Sequence, residues 1–168
     1  MKNRRPIKLQ YTKQNIFKGA LIYSIGDTIA SLLLNEFSIY RLLGMVLIGA
    51  TVYAFEIPNY FNWIEKKTAN NSGLKRTITK TILAIAYFNP LWIFRHLLFI
   101  KLFSGNFEQI TSNLFIVACW SFLVNVPISF IANFIIQNKV KLDWRFLASA
   151  IFSALMAIYY ALSETIFN

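Results

Sequence analysis

Apolar residues in this chain fall in long blocks rather than in alternation. Five blocks stand out, near 16–34, 42–64, 78–100, 112–136 and 145–163. A helix of ~20 residues crosses a bilayer, and each block has about that length. Stretches such as "LLGMVLIGATVYAF" and "NLFIVACWSFLV" are apolar all round, so they leave no side for water. A β-barrel would show short alternating segments instead. The pattern predicts an all-α, polytopic transmembrane helix bundle of about five spans. One integral membrane domain, 1–168, follows from it, with a basic leader over 1–15. A four-span arrangement, with one block re-entrant or in the interface, stays open.

Polar residues inside these blocks recur at helical spacing. In the fourth block Ser121, Asn125, Ser129, Asn133 and Gln137 come every four residues and form one slowly drifting stripe. Shorter versions occur elsewhere. Gly49, Tyr53, Glu56, Tyr60 and Trp63 share a face of the second block, and Asn89, Trp92 and His96 one of the third. The first block has Ser24, Asp27 or Thr28, and Ser31; the fifth has Ser149, Ser153 and Tyr160. Folded inward, these faces would enclose a polar axis. They would equally serve as hydrogen-bonding glue between helices, at ~0.6 kcal/mol each on average.

Three prolines, Pro58, Pro90 and Pro127, lie within spans, where each removes a backbone donor and is expected to kink its helix. In lipid the freed carbonyls need new partners, so recurrent breaks tend to line a cavity.

Composition agrees with the pattern. The chain is 57% hydrophobic and only 14% charged, against ~25% for a soluble domain. Its net charge of +10 is unevenly placed. Lys2, Arg4, Arg5, Lys8, Lys13 and Lys18 come before any acid, and the connections "EKKTANNSGLKR" and "NKVKLDWR" are basic. The first connection, the third and the C-terminal stretch are not. Alternation of this kind is the positive-inside pattern of five spans, with the N-terminus and the second and fourth connections on the positive side. Topology accounts for these charges better than nucleic-acid binding does, because they flank spans rather than form a basic face. A single cysteine, Cys119, makes no intramolecular disulfide.

Asp27, Glu56 and Arg95 are the charges inside spans. An ionised group at the bilayer centre costs ~2.5–3.5 kcal/mol, so such groups face the bundle interior or water. Asp27 or Glu56 could pair with Arg95. His96, the only histidine, suits an interfacial or hydrogen-bonded role better than metal binding or catalysis. No catalytic motif, metal-ligand set or phosphate-cradling glycine loop is present, so no enzyme, cofactor or metal is expected.

Several spacings resemble the Mpv-seventeen / 22-kDa peroxisomal membrane protein family. Its first-span Gly-Asp pair is matched by Gly26 and Asp27. Arg41, Gly49, Tyr60 and Phe61 keep its second-span intervals, followed by Ile64 and Glu65. Lys80 and Pro90 keep its lysine-to-proline spacing, and Pro127, Asn133 and Phe134 its fourth-span interval. The closing "LSE" is similar to its terminal Leu-Ser. Elsewhere the chain departs from the family: Ala54 and Phe55 replace a Gly-Pro, Pro58 a histidine, Ala84 and Ile85 an Asp-Gln, Val126 a tryptophan and Phe130 a glutamine.

The resemblance implies a channel-like protein that passes small solutes or metabolites, in a mitochondrial inner or peroxisomal membrane if eukaryotic. A bacterial source would place it in the inner membrane or target it to a host. The residues support such a channel with Asp27, Glu56, Arg95, His96, Asn125, Ser129 and Asn133 along the axis and the three prolines shaping it. The competing expectation is a non-transporting scaffold whose stripes pack helices. The lipid bilayer is the expected partner, and a homo-oligomer stays open.

Overall fold

The computed structural model describes residues 9–167, the side chains of 157 and 160–167 excepted. Seven α-helices run in order: α1 Lys13–Leu33, α2 Ile39–Ile48, α3 Ala54–Lys67, α4 Gly73–Tyr87, α5 Pro90–Ser104, α6 Ser112–Lys139 and α7 Leu142–Phe167. A π-helical segment, Gly49–Tyr53, joins α2 to α3 in one continuous rod. Four helical units are long and apolar enough to cross a membrane: Lys13–Leu33, Ile39–Lys67, Gly73–Ser104 and Ser112–Lys139. The chain is a multi-pass helical membrane bundle. The first four blocks fall on these units and the fifth on α7. The side chains of Tyr160 and of the "LSE" stretch, with Lys2, Arg4, Arg5 and Lys8, lie outside the described residues.

Local chemistry sets the helix ends. Thr12 caps α1, its hydroxyl accepting from the Asn15 N–H at 3.2 Å. After α1 the chain turns through Asn35 at φ 56°, a left-handed position that asparagine tolerates. Gly105, at φ 75°, ends α5, and the Asn106 N–H returns to the Lys101 carbonyl at 3.0 Å.

The bundle reverses the arrangement of a soluble protein. On α1 the outer face carries exposed Phe17, Leu21, Ile25 and Ile29, while Gly19, Tyr23, Asp27 and Ser31 are buried. On α6 the exposed side is Ile116, Trp120, Leu123, Ile128 and Ile135, and the buried side holds Ser121, Asn125, Asn133 and Gln137. Lipid tails are as apolar as leucine, so burial of apolar surface holds such helices together less than close packing and hydrogen bonds do. The expected inward stripes are therefore present, but between them lies an apolar and aromatic core of Met45, Tyr53, Ile57, Phe61, Ile93 and Leu97.

Close approach is built from small residues. A Cβ on Gly19 would collide with the Gly49 carbonyl oxygen, and one on Gly49 with that of Gly19. α1 therefore meets the π-segment backbone to backbone. On its other side, Gly26 lies against Ala154 of α7, where a Cβ would come within 2.6 Å of the alanine methyl.

The three prolines act differently from one another. Pro90 breaks its span rather than bending it: α4 stops at Tyr87, Asn89 is extended at ψ 176°, and α5 restarts with Pro90 in its first turn. A proline disfavours the helical conformation of the residue before it, and it can sit at a helix start, where its missing N–H is not needed. Pro58 is buried inside the continuous α3, with the π-segment one turn upstream. Pro127 is exposed on the uninterrupted α6. Its ring faces outward, away from the buried stripe of Ser121, Asn125 and Asn133.

Candidate functional site

The break in the third span leaves carbonyls and N–H groups without helical partners, and the Asn89 side chain supplies two of the missing bonds. The Asn89 side chain accepts from the Trp92 N–H at 3.1 Å and donates to the Ala86 carbonyl at 2.9 Å. The Tyr60 hydroxyl donates to the Leu83 carbonyl at 2.8 Å from across the α3 interface. One short asparagine thus serves both half-helices.

Beside this break lies a cavity of about 410 Å³, lined chiefly by Glu56, Tyr60, Tyr87, Asn89, Trp92 and Arg95. Glu56 of α3 and Arg95 of α5 face each other as a two-pronged pair, Arg95 Nη1 to Oε1 at 3.0 Å and Nη2 to Oε2 at 2.6 Å. The Tyr87 hydroxyl donates to Glu56 Oε2 at 2.9 Å. Geometry of this kind gives strong, directional bonds between charged groups. The Arg95 guanidinium also lies 6.0 Å from the Tyr53 ring centroid. Two buried donors of the lining residues, Arg95 Nε–H and the Trp92 indole N–H, have no hydrogen-bond partner among the described residues.

Behind the cavity the side chains are stacked and hydrogen-bonded. Trp92 lies parallel to His96, with centroids 5.5 Å apart and planes at 7°. His96 Nδ1 shares a 2.9 Å hydrogen bond with the Tyr53 hydroxyl. His96 is 2% exposed, so it is a buried hydrogen-bonded support rather than an interfacial residue.

The other expected site residues are placed elsewhere. Asp27 does not meet Arg95. It binds Arg41, the first charge of the second span, with Nε to Oδ2 and Nη2 to Oδ1 both at 2.8 Å. Arg41 reaches Glu36 as well, at 3.4 Å. The physical reason is register: the short connection makes α1 and α2 antiparallel neighbours, which brings the end of one to the start of the other. On α6, Asn125 Nδ2 donates to Ser129 Oγ at 2.9 Å and Asn133 Nδ2 to the Ser129 carbonyl at 2.9 Å. These three bond along their own helix, and none of them lines the cavity.

Comparison with family models, with curated proteins and with solved structures gives no match. Asp27 meets Arg41, Glu65 meets Lys80, and Gly49 lies against α1. Pro90 starts the second half of the broken span.

Sequence reasoning missed Tyr87, which in a continuous helix would point to the side opposite the block's polar face and joins it where the helix breaks. It also missed Arg76 and Arg145, which were assigned to topology alone and which bind Glu65. The dipeptide Asn89-Pro90 was the available signal for the break, since asparagine is a favoured cap and proline a favoured first residue.

Proposed function

We propose that this chain is a channel-like membrane protein that passes small solutes past the Glu56–Arg95 pair at the broken third span. The observation that carries the proposal is a discontinuous helix beside a cavity whose wall holds an ion pair about one-third exposed, 34% for Glu56 and 32% for Arg95. Interrupted helices in membranes are tolerated where their backbone lines a cavity or is buried in protein, and intramembrane charges there mark solute pathways. Similarity of the motif spacings to the Mpv-seventeen / 22-kDa family supports the same class of activity and an organellar membrane. No catalytic step is assigned.

Flux into liposomes and conductance across planar bilayers test the proposal, with Glu56→Gln alongside the unaltered protein. Removing the carboxylate leaves Arg95 uncompensated, so ion preference should move toward anions. Well-inserted protein that stays silent across voltage and pH would exclude a pore.

A second reading has its own observation. The α6 amides bond within their helix, and Met45, Tyr53, Ile57 and Ile93 are fully buried between the stripes. A scaffold would have that interior, its helices joined by contacts such as Asn138 Nδ2 to Thr81 Oγ1 at 3.3 Å and the Tyr159 hydroxyl to the Ser121 carbonyl at 3.1 Å. It predicts that stripe substitutions damage assembly while flux is unaffected.

A further inference from the structure

One side of the second span is gripped by residues that precede α1. Asn59 of α3 and the Gln10 backbone hold each other in both directions. The Gln10 N–H donates to Asn59 Oδ1 at 2.7 Å, and Asn59 Nδ2 donates to the Gln10 carbonyl at 2.9 Å. The same Nδ2 donates to the Phe55 carbonyl of its own helix at 2.6 Å. Next along the chain, the Tyr11 hydroxyl donates to the Ala50 carbonyl of the π-segment at 3.0 Å. The Tyr11 ring also meets Phe55 edge to face, with centroids 6.0 Å apart and planes at 79°.

These contacts bracket the stretch of the second span least able to hold itself. The π-segment ends at Tyr53, and Pro58 has no N–H to give the Ala54 carbonyl one turn back. Glu56 lies between the two irregularities, three residues after Tyr53 and two before Pro58. Single π-turns inside helices recur at functional sites. Successive helical residues lie about 100° apart, so Phe55 and Asn59 are each followed, one step round α3, by a cavity residue, Glu56 and Tyr60. Neither Gln10 nor Tyr11 lines the cavity. Their effect on it passes through the rotation of α3.

Resting on the channel reading above, we propose that Gln10 and Tyr11 form a strap that positions Glu56 in the cavity wall. Tyr11 and Asn59 are its positioning residues. Their bonds fix the rotation of the stretch between Ala50 and Asn59, and this holds the Glu56 carboxylate against Arg95 and Tyr87. With the strap released, that stretch loosens and Glu56 exchanges its partners for water.

The test uses the full chain in non-ionic detergent, with Tyr11→Phe, which keeps the ring and removes the hydroxyl, and with Asn59→Ala. Hydrogen exchange over residues 49–60 reads the bracing. Labelling of Glu56 by a water-soluble carbodiimide and an amine reads the positioning, with Glu36, 48% exposed at the far end of α1, as the internal reference. Each variant should raise exchange and Glu56 labelling roughly fivefold, the worth of one ordinary hydrogen bond, with Glu36 labelling unchanged. Unchanged exchange in both variants would overturn the strap. Faster exchange with Glu56 labelled at its original rate would overturn the positioning role. Tyr11 is 49% exposed, so its variant keeps the test decisive even where Asn59→Ala fails to fold. Labelling does not depend on transport, so a protein silent in bilayers would end the channel reading while these two readouts still decide the strap.

Discussion

Asp27–Arg41 and Glu56–Arg95 are both carboxylate–guanidinium pairs held by two bonds, and both join side chains of different helices. Their surroundings differ. Each side chain of the first pair is 2% exposed, whereas those of the second are 34% and 32% exposed on a cavity wall. Identical chemistry therefore does two jobs. A closed pair sets which helix lies beside which; an open pair can exchange its partner for water or a passing solute. Burial, rather than residue type, separates a structural charge from a candidate working one.

The largest expected effect comes from breaking the closed pair. Arg41→Met leaves Asp27 buried without its counter-charge and should lower stability by about 3–5 kcal/mol. Thermal denaturation in detergent would read this, and Asp27→Leu combined with Arg41→Met should recover most of the loss. A single variant that melts with the unaltered protein would show that the pair is not structural.

Glu56→Gln should cost about 1 kcal/mol or less, because water shares the stabilisation of an exposed pair. Its effect belongs in conductance and ion preference instead. Exchanging the charges, Glu56→Arg with Arg95→Glu, should restore the neutral balance and much of the original preference. If Glu56→Gln destabilises as much as Arg41→Met, the contrast between the two pairs collapses.

Asn89→Ala removes the cap that serves both half-helices and should cost about 1 kcal/mol, with a loss of flux as the cavity wall reorganises. Unchanged flux in a correctly inserted Asn89→Ala protein would detach the break from permeation. Smallest for permeation, Pro127→Ala should leave conductance unaltered, since that residue is exposed on an intact helix, and should not lower stability, because alanine returns the backbone donor that proline lacks.

The spans were legible because length and apolar content act on each helix alone. Stripe direction was legible too, since inward Ser121, Asn125 and Asn133 follow from spacing and the cost of polar groups in lipid. Pairing was harder. Asp27 could have met Arg95 or Arg41 on charge alone, and only the antiparallel register of α1 and α2 decides between them. The break was half legible: Pro90 announced a disturbance, but whether a helix bends or stops depends on whether a side chain such as Asn89 can take up the freed groups. Glu65 is a case of resemblance naming a residue whose physical partners, on α4 and α7, no local pattern discloses.

The link between Asp27 and Arg41 also bears on how the chain enters the membrane. When α1 leaves the ribosome alone, Asp27 is an ionised group with nothing to neutralise it, a penalty of roughly 2.5–3.5 kcal/mol at the bilayer centre. Arg41 emerges only after the turn that follows α1. The two helices should accordingly enter as one hairpin rather than in succession, with the nascent chain waiting at the insertion machinery until the second arm arrives. Glycosylation mapping of chains halted before and after Arg41 would time that event.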